Sequence, residues 1–145
     1  MYALSDFQDK KTIIIDKDIY MHNNSNKLRF LLAHEIGHLI LHNALLDIFR
    51  FDNVNFWIEF HRSADQQQYE YLEGHANEFA GRLLVPYERL LQEVKQALKR
   101  VPAQMTMNIE EIIPFLAPSI CKVFEVSDQV LEVRLSRENI INNLK

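Results

Sequence analysis

Lys27-Leu28-Arg29-Phe30-Leu31-Leu32-Ala33-His34-Glu35-Ile36-Gly37-His38-Leu39-Ile40-Leu41-His42 is the stretch that decides how the rest of the chain is read. Leu28, Leu31, Leu32, Ile36, Leu39 and Ile40 recur at three-to-four spacing, which predicts a helix about five turns long with an apolar face. His22-Asn23-Asn24-Ser25-Asn26 before it is a turn offering N-cap side chains. Inside the helix, His34-Glu35-Ile36-Gly37-His38 fits H-E-x-x-H. Four residues of helix turn through about 400° and rise about 6 Å, so the two imidazoles leave one face and can share a zinc ion. Glu35, one step round, can reach a water on that ion and serve as general base. The plainer alternative is a buried histidine pair that hydrogen-bonds its neighbours and binds nothing.

Two imidazoles leave a catalytic zinc short of a third protein ligand, so an Asp, Glu or His must lie elsewhere. His42 is eight residues beyond His34, about 12 Å along the axis, too far for the same ion. It is left to orient a neighbour, contact substrate or fill space. Leu72-Glu73-Gly74-His75-Ala76-Asn77-Glu78-Phe79-Ala80, on a second helix expected from about Gln67 to Leu84, is the better source. Glu73 and Asn77 are four apart and share a face, so Glu73 can ligate while the Asn77 amide takes the spare N–H of a ligating histidine. Glu78 and His75 are expected off that face.

The two blocks together resemble the ImmA/IrrE metallopeptidases. That family's pattern has an R-F-x-x-A-H-E-x-G-H-x-x-x-H helix, met here from Arg29 to His42. Its second helix reads E-x-x-A-N-x-F-A-x-x-L-L-x-P, met here from Glu73 to Pro86. The resemblance covers roughly Ile13 to Pro86 and is weaker beyond. There Val123-Phe124-Glu125-Val126-Ser127 is similar to a helical tail often found in such proteins. It implies zinc held by His34, His38 and Glu73, Glu35 as catalytic acid/base, and a small gluzincin-like zincin fold. It also implies a substrate class: a helix-turn-helix transcriptional repressor, often on a phage or mobile element. Many relatives carry a helical segment before the first strands, whereas only about a dozen residues precede Ile13 here.

The wider chain sets limits. Its 145 residues suit one domain, and 48% hydrophobic with 25% charged residues is an ordinary globular composition. Sixteen Lys and Arg against twenty Asp and Glu give a net charge of −4 without a basic block, which disfavours direct nucleic-acid binding. In the tail, Lys122, Arg134 and Arg137 are outnumbered by Glu125, Asp128, Glu132 and Glu138, so packing is preferred to DNA contact. The opening Met1-Tyr2-Ala3-Leu4-Ser5-Asp6 does not read as a signal peptide. Leu28 to Phe49 carries too many imidazoles and charges for a membrane span. Cys121, the single cysteine, excludes an intrachain disulfide and points to a reducing cytoplasm.

Thr12-Ile13-Ile14-Ile15 reads as a buried strand, paired with a neighbour on either side. Phe49 to Phe60 gathers aromatics without helical period and reads as strand or structured loop, either core or a substrate wall. Pro86 is expected in the first turn of a third helix buried through Leu90, Leu91, Val94 and Leu98. From Asn108 to Lys145, short helical pieces are expected, broken at Pro114 and Pro118.

The expectation is thus an α+β fold: a short antiparallel sheet packed on the H-E-x-x-H helix within a single domain 1–145. Residues 1–86 form the sheet and zinc-site core, and 87–145 a helical C-terminal part. Its function is expected to be cytoplasmic zinc-dependent endopeptidase activity on a protein, with one zinc per chain. The alternative is a non-hydrolytic binding protein of the same fold, an antirepressor or toxin–antitoxin partner. His61, Arg62, Tyr69, Tyr71 and His75 lie between the motifs as candidates to stabilise an oxyanion, with none singled out.

Overall fold

The computed structural model describes residues 2–5, 11–15, 17–22, 25–44, 62, 65–101, 109–138 and 140. The aromatic run 49–60 and His61 lie outside them. Two strands, β1 (Tyr2–Ser5) and β2 (Lys11–Ile14), precede helices α1 (Lys17–His22), α2 (Ser25–Leu41), α3 (Gln66–Leu84), α4 (Tyr87–Leu98), α5 (Ile109–Phe124) and α6 (Asp128–Arg137). The chain divides into two compact units, Met1–Ala80 and Gly81–Lys145.

This corrects the α+β expectation: the domain is helical. The extended backbone among the described residues is one antiparallel pair, with Tyr2 opposite Ile14 and Ser5 opposite Lys11. Two four-residue strands are too little sheet to be stable alone or to define a layer. On the other side of the β-branched run, where a further strand was expected, Lys17–His22 closes into α1.

Within Met1–Ala80, small residues decide how α2 and α3 meet. Ala33 and Gly37 are buried on α2, and Ala76 and Ala80 on α3. A β-carbon on Gly37 would lie 3.2 Å from the Ala76 Cα and 3.1 Å from the Phe79 ring. The helices therefore approach so closely that any larger residue at 37 would have to push its neighbours back by a few tenths of an ångström. Gly37 stands between the two motif histidines and Ala76 three residues after Glu73, so this contact faces the Glu73 turn towards the histidine pair. Asp65 starts α3, its carboxylate accepting the Gln68 N–H at 3.1 Å.

Within Gly81–Lys145, Leu90 and Val94 of α4, Ile112, Ile113, Leu116, Ala117, Ile120 and Phe124 of α5, and Leu131 and Leu135 of α6 form one apolar core. Pro86 sits at the N-cap of α4 with extended backbone, one position before the first turn expected for it. The expected breaks at Pro114 and Pro118 are also corrected: α5 runs through both. The prolines are four apart on the exposed face, and each costs about 3 kcal/mol in a helix interior. Burying five large apolar side chains opposite them returns of order 10 kcal/mol, so packing wins. Glu125 then ends α5 in a left-handed conformation (φ 53°), and the Val126 N–H reaches back to the Cys121 carbonyl.

Arg134 shows why the tail's charge is no guide to its surface. Its side chain is buried, donating to Glu138 Oε1 at 2.7 Å and to the Val85 carbonyl at 3.3 Å. Gly81 makes room for it, since a β-carbon there would lie 3.0 Å from its Cδ.

Candidate metal centre

Four side chains converge where α2 faces α3. His34 Nε2 and His38 Nε2 are 3.0 Å apart, as one helical turn dictates. Glu73 lies across them, with Oε2 3.3 Å from His34 Nε2 and Oε1 3.2 Å from His38 Nε2. Asn77, one turn after Glu73, places its amide oxygen 2.9 Å from His34 Nδ1. An amide oxygen only accepts, so His34 donates through Nδ1–H and its neutral form presents the Nε2 lone pair to His38 and Glu73.

This donor set fits a metal ion. Ligand atoms bound about 2.0–2.2 Å from a tetrahedral zinc stand roughly 3.3–3.5 Å apart, close to the spacings of His34, His38 and Glu73. Two imidazole nitrogens and a carboxylate are borderline-to-hard ligands of the kind zinc takes in catalytic sites. Such a cluster of lone pairs and negative charge needs a cation, whether a proton or a metal. The electrostatics express that need. Burial alone would raise the Glu73 carboxyl, but the hydrogen bonds and charges of His34 and His38 hold it far below the usual carboxylate range. Burial opposes a charged His34, yet Glu73 more than offsets it and raises the imidazole above 6.5.

Glu35 is 7% exposed. Burial raises its carboxyl above the usual range, against the opposing pull of His34 and His38. A carboxylate moved towards neutrality is a better proton carrier near pH 7 than an ordinary one.

Three further residues have places here that sequence spacing left open. His42, just past the end of α2, sets Nδ1 3.0 Å from His38 Nδ1. Burial, then His38 and His75, lowers its pKa to about 4 and keeps it neutral. His75, expected off the ligand face, stacks over the His42 ring at 6.0 Å, and Tyr71 packs on His75 at 4.0 Å. Tyr69 is half-buried and hydrogen-bonded to Glu73, which with burial pushes its phenol up to about 12. The four-residue step from Tyr69 to Glu73 was the available signal for that contact. Of the other oxyanion candidates, Arg62 and Tyr71 are exposed.

Among the described residues no helix is long and apolar enough to cross a membrane. No curated protein and no solved structure matches the chain. The family model for the IrrE N-terminal-like domain, peptidase M78, matches residues 3–136, nearly the whole chain. With both motif helices inside that span, the chain belongs to this metallopeptidase family.

Proposed function

We propose that the chain is a zinc-dependent endopeptidase of the cytoplasm, with one zinc held by His34, His38 and Glu73. The observation that carries this reading is the convergence of those donor atoms at 3.0 to 3.3 Å. A bound zinc supplies a Lewis acid that makes water a nucleophile at neutral pH and polarises the scissile carbonyl. Glu35 takes the proton from the attacking water and returns it to the leaving amine. Asn77 fixes the His34 tautomer through Nδ1. The family implies a protein substrate, and we extend this to a helix-turn-helix transcriptional repressor, the class that the motif resemblance suggests.

Glu35→Gln tests the mechanism, since the amide keeps the shape and cannot accept the proton. The variant should retain zinc and lose cleavage, and should trap the substrate in a pull-down that mass spectrometry can identify. Cleavage at an undiminished rate would refute the assigned role of Glu35. Relief of repression by the uncleaving variant would instead favour the non-hydrolytic binding protein.

A further inference from the structure

The Nδ1 atoms of His38 and His42, 3.0 Å apart, can share only one hydrogen between them in their neutral forms. With that hydrogen on His42, His38 carries its own on Nε2, aimed at His34 and Glu73. With it on His38, the His38 Nε2 is a bare lone pair and His42 is protonated on Nε2. His42 Nε2 is buried and has no hydrogen-bond partner among the described residues. An apolar side chain would fill this space without leaving a polar atom unsatisfied. The His42 ring is also held in its plane, 8% exposed and stacked at 18° against His75.

We propose that His42 is a positioning residue for the metal centre: it accepts the Nδ1–H of His38 and holds that ring with its Nε2 lone pair turned towards His34 and Glu73. This rests on the metallopeptidase reading and deepens it. The spare N–H of a ligating histidine ordinarily goes to a carboxylate, a carbonyl or water. His34 has such a partner in the Asn77 amide carbonyl, whereas His38 has an imidazole nitrogen, so neither of these two contacts adds negative charge and Glu73 is the anionic member of the donor set.

The test is a zinc titration of the full chain against a chromophoric chelator, for wild type, His42→Phe and His42→Gln. It is paired with nitrogen-15 imidazole spectra of zinc-loaded wild type. His42→Phe fills the space without an acceptor and should bind zinc about 10–100-fold more weakly. His42→Gln offers an amide oxygen and should recover most of that loss. The spectra should show His38 protonated at Nδ1. Phe and Gln variants that bind equally weakly would reduce His42 to packing, and a Phe variant within about twofold of wild type would overturn the proposal. Should His42→Phe fail to fold, the Gln titration and the spectra decide: Gln binding near wild type with Nδ1 protonation supports the role, and His38 protonated at Nε2 overturns it. Wild type that takes up no zinc overturns the metallopeptidase reading itself, whereas about one zinc per chain with indifferent variants overturns the role of His42 alone.

Discussion

Gly37 and Ala76 meet so closely that a β-carbon on the first would stand 3.2 Å from the Cα of the second. The obstacle is backbone, which cannot swing aside as a flexible side chain can. Gly37→Ala should therefore push α2 from α3, costing about 1–3 kcal/mol and weakening zinc binding along with stability. Gly74→Ala is the control, since its β-carbon would meet nothing within 4 Å. In a helix interior that change should add about 0.5–1 kcal/mol and leave zinc affinity alone. Thermal melts with zinc titrations read both, and a Gly37→Ala protein as stable as wild type would disprove the close approach.

Glu73 is the single carboxylate in the proposed ligand set, so Glu73→Ala should drop zinc content from about one per chain to well below half in elemental analysis. Protons compete with zinc for His34, whose pKa is raised above 6.5 by Glu73. Zinc affinity should accordingly start to fall on acidification at a pH above 6.5, where an isolated histidine would still be mostly neutral. A chelator titration across pH 5.5 to 8 checks the direction. Affinity independent of pH over that window would remove His34 from the site.

Arg134 and Glu138 form a pair of which the arginine is 2% exposed, with Arg82 joining Glu138 from 3.2 Å. Glu138→Ala takes a carboxylate partner from a buried guanidinium and should cost on the order of 3 kcal/mol. Arg134→Met removes the charge but keeps much of the stem's packing, and should cost less than half as much. Urea unfolding of the two variants decides the order, and equal losses would mean that packing rather than charge holds this corner.

Cys121 is buried and donates its S–H to Asp128 Oδ1 at 2.8 Å. Burial, then Asp128, pushes the thiol up to about 11 from an ordinary 9. The folded state thus holds this proton more tightly than the unfolded chain. Its contribution to stability is complete below pH 9 and is lost as pH rises through about 11. Wild type should lose more stability than Cys121→Ala between those limits, and native Cys121 should react with iodoacetamide at pH 8 far more slowly than the urea-unfolded thiol. Fast native labelling would show that the thiol is not shielded.

Periodicity and spacing were enough to put His34 with His38, and Glu73 with Asn77, on common helix faces. The four-residue step from His34 to His38 sets one helical turn, and that from Glu73 to Asn77 sets a second pair on one face. Both follow from helix geometry, which depends only on local backbone hydrogen bonds. The helix 66–84 and the buried stripe through Leu90 and Val94 were legible for the same reason.

What local rules could not settle was decided by contacts between residues distant in the chain. Thr12 to Ile15 has the composition of a strand in a sheet, but the amount of sheet depends on partners, and among the described residues one short strand answers it. Pro114 and Pro118 break helices on propensity alone, yet the buried face of α5 outweighs them. Arg134 counts as surface charge until Glu138, Val85 and Gly81 are brought round it. His42, too far along the helix to be a ligand, gains its place because its ring turns back on His38. Helical spacing is a property of a segment, whereas burial and the choice of hydrogen-bond partner are properties of the packed whole.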